Sequence, residues 1–210
     1  QGFSSVSEVS RSRYFDHNAT SPLRGEARQA WQFSHDEAWS NPSSPHAGGV
    51  RCRALLEGMR ERMIALIGGS SKRLIFTSGA TESNNAVFAH FRKKLGTEGK
   101  VAISSVEHPS VWAAAKSCFE NNVMELPVDT AGIISISSLI KVLNDFRPNL
   151  VSVMAANNET GIIQPWSEVR NLCREAKVPF HCDATQWLGR LPSNELGSCD
   201  FLSGSFHKLG

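Results

Sequence analysis

An α/β domain, with a mostly parallel sheet covered on both faces, is the fold that the order of patterns along this chain predicts. Six short β-rich runs recur through it, and helix-like segments of about 10 to 16 residues lie between most of them. No internal repeat or low-complexity linker divides the 210 residues, and 40% hydrophobic content suffices for one sizeable core.

The elements follow in order. Gln1 to Arg13 is Ser-rich and lacks an apolar core, so it is no secretory signal and is expected to be a flexible polar leader before one domain over 14–210. The absence of an initial Met is consistent with processing, a tag or a cut from a longer chain. Arg24 to Trp39 reads as helix, and Asn41-Pro42-Ser43-Ser44-Pro45 breaks it because proline is kept out of helix interiors. From Gly49 to Ile67, Val50, Ala54, Leu55, Met59, Met63 and Leu66 recur at helical spacing until Gly68-Gly69. The expected strands are Arg73–Thr77, Val101–Ser104, Val123–Leu126, Leu150–Ala155, Pro179–Asp183 and Asp200–Ser205. Glu82–Leu95, Pro109–Glu120 and Trp166–Ala176 are expected helices between them. The five tryptophans, Trp31, Trp39, Trp112, Trp166 and Trp187, read as packing residues.

Composition excludes several classes. Twenty-two Lys+Arg against 20 Asp+Glu leave a net charge of +2, with no basic stripe to hold nucleic acid or a membrane surface. No apolar run approaches the roughly 20 residues that span a bilayer. Cys52, Cys118, Cys173, Cys182 and Cys199 are odd in number and scattered, which indicates reduced thiols in a cytosol-like compartment. None has the spacing of a zinc module, and no metal is expected.

In sheets of this kind ligands gather at the carboxyl ends of the strands. There the chain delivers Ser78-Gly79-Ala80-Thr81, Glu107-His108, Asn157-Asn158-Glu159, Asp183 with Gln186, and His207-Lys208. The glycine turn before Glu82 opens a helix whose free N–H groups can cradle a phosphate or simply be capped by hydroxyls. It matches neither dinucleotide nor P-loop fingerprint. Strand alternation puts Phe180 and Cys182 on one face and His181 and Asp183 on the other. A carboxylate leaving a buried strand needs a partner, whether a ligand cation, a helix cap or an arginine. Lys208 follows an apolar strand, where a desolvated amine becomes nucleophilic enough to form a Schiff base; by position alone the bland reading leads, since most lysines are simply solvated surface charges.

Taken together the strings resemble the cysteine desulfurase family, class V fold-type-I enzymes dependent on pyridoxal 5′-phosphate (PLP). The matching pieces are Tyr14-Phe15-Asp16-His17-Asn18-Ala19-Thr20, Asn41-Pro42-Ser43-Ser44-Pro45-His46 and Thr77 to Asn84. Val106-Glu107-His108, Ala156-Asn157-Asn158-Glu159-Thr160-Gly161, His181 to Gln186 and Ser205-Phe206-His207-Lys208 complete the series in family order. The resemblance implies a three-layer large domain in which Lys208 carries PLP covalently and later moves the Cα proton. It implies that Ala80, Thr81, Ser205 and His207 bind the phosphate, Asp183 pairs with the pyridine nitrogen, and Gln186 bonds the phenolic oxygen. His108 would stack on the ring and assist proton transfer, and Asn158 would contact cofactor or substrate.

The implied reaction converts L-cysteine to L-alanine, with sulfur passing to an enzyme thiol for iron-sulfur cluster assembly or other delivery. The implied setting is a cytoplasmic homodimer with a sulfur-acceptor or scaffold partner. The family continues beyond the PLP lysine with a small domain that holds the persulfide-forming Cys. None of the five cysteines here stands in that place, so the chain reads as the large-domain half, without full desulfurase activity alone. Selenocysteine lyase or another C–S lyase is the near alternative. A non-catalytic interaction module that binds no PLP is the alternative of another class, and a dinucleotide oxidoreductase is disfavoured by the missing glycine fingerprint.

Overall fold

The computed structural model describes residues 14–69 and 74–210. The expected leader 1–13, and Arg73 at the head of the first expected strand, lie outside the described residues. Five strands, β1 (Val101–Ser104), β2 (Val123–Leu126), β3 (Leu150–Ser152), β4 (Phe180–Asp183) and β5 (Phe201–Ser203), form one sheet in the order β2-β1-β3-β4-β5. Every pairing is parallel, as expected of strands separated by helical crossovers.

The helices are α1 (Gly25–Glu37), α2 (Ala47–Leu66), α3 (Ala80–Leu95), α4 (Pro109–Phe119), α5 (Ile136–Lys141) and α6 (Trp166–Glu175). Alternation along the strands sorts side chains between two cores. Val101, Ile103 and Leu150 pack with Phe88, Phe91 and Phe119 of α3 and α4. Ala102, Val151, Phe180 and Cys182 turn the other way, onto α5 and α6 through Leu139, Trp166 and Val169. Helices therefore cover both faces, and the three-layer expectation holds.

Two sequence expectations are corrected. Leu74–Thr77 forms no strand, because a strand needs a ladder partner and β5, the edge strand, is separated from it by a cavity of about 570 Å³ lined by both. Trp31 and Trp39 are 68% and 77% exposed: α1, which carries Trp31, buries none of its side chains, and Trp39 lies two residues past its end. The apolar stripe of α2 is likewise largely open, with Val50, Met59 and Leu66 exposed. Trp166, by contrast, is buried and stacks edge-on against Trp187, with ring centroids 5.6 Å apart.

The expected strand Leu150–Ala155 ends at Ser152, but Val153 and Ala155 still donate to the carbonyls of His181 and Asp183 at 3.1 and 2.9 Å. Helix α5, which continues into a π turn over Val142–Phe146, was not expected from its Ile- and Ser-rich sequence. Its start is settled by Ser135, whose hydroxyl accepts from the Ser138 N–H at 3.3 Å. Among the described residues no helix is long and apolar enough to cross a membrane.

Candidate functional site

The first bond inside α3 runs from the Ser83 N–H to the Gly79 carbonyl at 3.1 Å. The N–H groups of Ala80, Thr81 and Glu82 are therefore left pointing out of the helix end, where the helix dipole favours an anion. Gly79 makes the turn at φ 157° and ψ −179°, a region essentially restricted to glycine. Thr77 Oγ1 accepts from the Gly79 N–H and bonds Ser83 Oγ at 2.8 Å, which holds the turn from inside. The Glu82 carboxylate takes the Ser78 N–H at 2.6 Å, and that bond lowers its pKa.

Strand β4 positions the carboxylate. His181 and Asp183 share the face toward α3, as alternation requires. Asp183 is 4% exposed, and its Oδ1 accepts from the Thr185 N–H at 3.0 Å while Oδ2 accepts from the Asn84 amide at 2.9 Å. Beneath it the His181 ring bridges Ser152 Oγ on β3 and Ser203 Oγ on β5, both at 2.9 Å. Burial lowers the His181 pKa from 6.5 to about 4, against the opposing pull of Asp183. A neutral imidazole thus clamps three adjacent strands under the site.

Lys208 ends a short 3-10 turn, Phe206–Lys208, just beyond β5. Partial burial lowers the pKa of its ammonium; the Asp183 and Asp16 carboxylates oppose this, and Arg190 adds to it. The turn is tied to the segment 14–21. The Ser21 N–H donates to the His207 carbonyl at 3.0 Å, and the Ser21 hydroxyl donates to the Lys208 carbonyl at 3.2 Å.

Arg190 draws this segment against Gln186. It donates to Asn18 Oδ1 at 2.6 Å, to Gln186 Oε1 at 2.7 Å and to the His17 carbonyl at 2.9 Å. Gln186 in turn donates to the Asn18 carbonyl at 2.9 Å. Asn18 also donates to the Asn158 carbonyl at 3.0 Å.

All nine residues singled out in the sequence line one cavity of about 320 Å³: Ala80, Thr81, His108, Asn158, Asp183, Gln186, Ser205, His207 and Lys208. The larger cavity beside β5 shares Ser78, Gly79, Ser205 and His207 with it but is mainly apolar and holds neither Lys208 nor Asp183. The polar chemistry therefore belongs to the smaller one. Residues that sequence reading left out are Asn84, Ser110, Thr185 and Arg190. Helical spacing offered a signal for two of them, since Asn84 follows Ala80 and Arg190 follows Gln186 by four residues.

No cysteine lines this cavity. Cys52, Cys173, Cys182 and Cys199 are buried, and burial pushes the Cys173 thiol up to about 12 and the Cys182 thiol well above its usual range. These are inert packing thiols, as expected for Cys52, Cys173 and Cys182. Among the described residues no group of three His, Cys, Asp or Glu is arranged to hold a metal.

Glu107 is buried behind the cavity. One oxygen accepts from the Met154 N–H and the other has no partner. Burial first, then the nearby Asp183, raises its pKa well above 4.5, against the opposing Met154 N–H bond, and so favours the neutral acid. The unfolded chain releases this proton near 4.5 and the folded chain keeps it to higher pH, so its contribution to stability is fully present below 4.5 and declines as pH rises toward the folded value. Glu107→Gln keeps the Met154 acceptor and should remove a slope of about 1.4 kcal/mol per pH unit within that window. Urea unfolding of both proteins at pH 5 and pH 8 checks it. Parallel pH dependence would defeat the assignment.

The model of the class-V aminotransferase family matches residues 13–210. A cysteine desulfurase of Dictyoglomus turgidum is 41% identical over 208 residues, covering 96% of this chain and 52% of the relative. A NifS-like protein from Rickettsia africae superposes with a TM-score of 0.80 at 30% identity over 92% of this chain and 53% of its own. The structure of SspA in complex with cysteine gives 0.84 at 28% identity, covering 93% of this chain and 57% of that one. The chain spans about half the length of the relatives it matches.

Proposed function

Since the chain belongs to the class-V aminotransferase family, we propose that it carries the cofactor side of a PLP-dependent cysteine desulfurase site. The observation that supports this best is the convergence of Lys208, Asp183 and the α3 N-terminus on one cavity. PLP requires an amine for its aldehyde, an anion for its pyridinium and donors for its phosphate, and those three features fit it. When bound, PLP supplies the electron sink that stabilises a deprotonated amino-acid Cα.

The chain's residues would do the rest. The N–H groups of Ala80 and Thr81, with Ser205 and His207, would bind the phosphate. Glu82, already bonded to Ser78, would withhold one donor from it. Asp183, held at both oxygens, would keep its charge aimed at the pyridine nitrogen. One Gln186 amide hydrogen is committed to Asn18, leaving the other for the phenolic oxygen. His108 would lie against the ring, Asn158 would reach cofactor or substrate, and the Lys208 amine, more readily neutral than an exposed lysine, would bind PLP and move the proton at Cα.

The substrate in this reading is L-cysteine, which is converted to alanine, with its sulfur passing to a thiol. That thiol lies outside the cavity's own residues, because none of the five cysteines lines it. A further polypeptide segment or partner supplies it, and a second copy of the chain, a sulfur-acceptor protein and a cytoplasmic setting belong to the same proposal. The exposed Trp31, Phe33 and Trp39 are in keeping with partner contacts.

Calorimetric titration with pyridoxal phosphate and with pyridoxal tests the cofactor. The phosphate ester should bind at least about tenfold more tightly, a difference of about 1.4 kcal/mol. Equal affinities would overturn the phosphate cradle, and no binding of either would overturn the cofactor assignment. Alanine released from L-cysteine by the loaded protein, supplied with the relatives' remaining half, tests the substrate.

A further inference from the structure

Asn84 and Ser110 take no part in the proposed cofactor contacts, yet they join two residues that do. Asn84 is fully buried on α3, and its amide nitrogen lies 2.9 Å from Asp183 Oδ2 and 3.0 Å from Ser110 Oγ. Ser110 Oγ lies 2.8 Å from His108 Nδ1, and the Ser110 N–H also points at that nitrogen from 3.1 Å.

The chemistry of the groups allows one consistent assignment of hydrogens. An ionised Asp183 only accepts, so the Asn84 amide must turn its NH₂ toward it. The second amide hydrogen then donates to Ser110 Oγ, which leaves the serine hydroxyl free to donate to His108 Nδ1. With two donors aimed at it, Nδ1 is an acceptor, and the ring proton belongs on Nε2. The Asn84 carbonyl oxygen is left buried without a partner. Turning the amide over to relieve it would set that oxygen against the Asp183 carboxylate.

We infer that Asn84 is a positioning residue which, through Ser110, ties the His108 ring to the Asp183 carboxylate and sets that ring as the tautomer with its proton on Nε2. Asn84 acts at His108 without touching it, because it decides which way the serine hydroxyl points. If the PLP reading holds, a neutral imidazole with one defined N–H faces the cofactor. The tautomer itself does not depend on that reading, so each can fail alone.

Heteronuclear NMR of the ¹⁵N-histidine-labelled chain without PLP tests the bridge, with His108→Gln identifying the resonances. His108 should show an unprotonated Nδ1 and a protonated Nε2; the opposite tautomer would overturn the inference. Asn84→Leu, which has the same branched shape but no donors, should shift the Nδ1 resonance. Ser110→Ala should shift it too, and adding Asn84→Leu to Ser110→Ala should shift it no further. Additive shifts, or none from Asn84→Leu, would assign Asn84 to packing alone. Should the leucine variant not fold, Asn84→Asp keeps the shape; beside Asp183 its carboxyl takes up a proton and donates it there, so the same oxygen can only accept from the serine hydroxyl and draws it away from Nδ1. An unchanged His108 spectrum in that variant would also overturn the inference.

Discussion

Lys208→Ala is expected to abolish covalent capture of pyridoxal phosphate. After incubation with PLP and borohydride reduction, the wild-type chain should gain one pyridoxyl adduct by intact mass, and the variant none. The physical basis is the place of Lys208 on the cavity wall, where partial burial lowers its pKa and raises the share of free amine. Other lysines are poor substitutes, since among the described residues no second lysine lines the cavity. Lys208→Arg separates charge from nucleophilicity. It should keep much of the non-covalent affinity, because the donors assigned to the phosphate and the Asp183 carboxylate are untouched, yet form no adduct. A full adduct on Lys208→Ala would place the amine elsewhere and remove Lys208 from the proposed chemistry.

The second large effect is acid sensitivity from His181. This ring is fully buried, and its folded pKa of about 4 lies below the ordinary 6.5. As pH falls through 6.5 the unfolded chain takes up a proton that the folded chain refuses until about pH 4. The stability that the neutral ring contributes is therefore present above pH 6.5 and is lost between 6.5 and 4, by on the order of 3 kcal/mol in all. His181→Phe keeps a ring edge-on to Phe88, whose centroid is 6.1 Å away, but cannot bond Ser152 or Ser203. The variant should be less stable at pH 8 by about 1 to 3 kcal/mol, from buried hydroxyls left without their partner. Its stability should also change less than that of the wild type between pH 7 and pH 4. Denaturant unfolding across that range reads both effects, and equal acid sensitivity would show that the loss arises from other groups.

Much of the site was legible because β4 and the neighbouring strand ends announce themselves locally. A period of two in Phe180-His181-Cys182-Asp183 already puts His181 and Asp183 on one face. The rule that parallel strands present their carboxyl ends to a ligand placed Thr81, His108, Asn158, Gln186 and Lys208 at one edge. The family resemblance gave each of these an expected role. Two kinds of feature stayed hidden. Leu74–Thr77 looks like β1 in composition, yet among the described residues it has no ladder partner across the cavity beside β5 and forms no strand. Trp31 and Trp39 look like core residues at helical spacing, but among the described residues α1 buries none of its side chains and Trp39 stands exposed beyond its end.

From sequence alone came the α/β class, the alternation that divides the two cores, and the set of polar residues that gather at one edge. Each of these records a residue's own backbone preference or the face it must take, which neighbours a few positions away suffice to express. Tertiary structure alone decided the joints. Asn84 reaches Asp183 across 99 positions, and Arg190 reaches Asn18 across 172. A hydrogen bond between distant segments leaves no period in either of them, because its direction depends on where two separately folded elements come to rest. The bonding state of Asn84, and with it the tautomer of His108, exists only once α3, α4 and β4 have packed together.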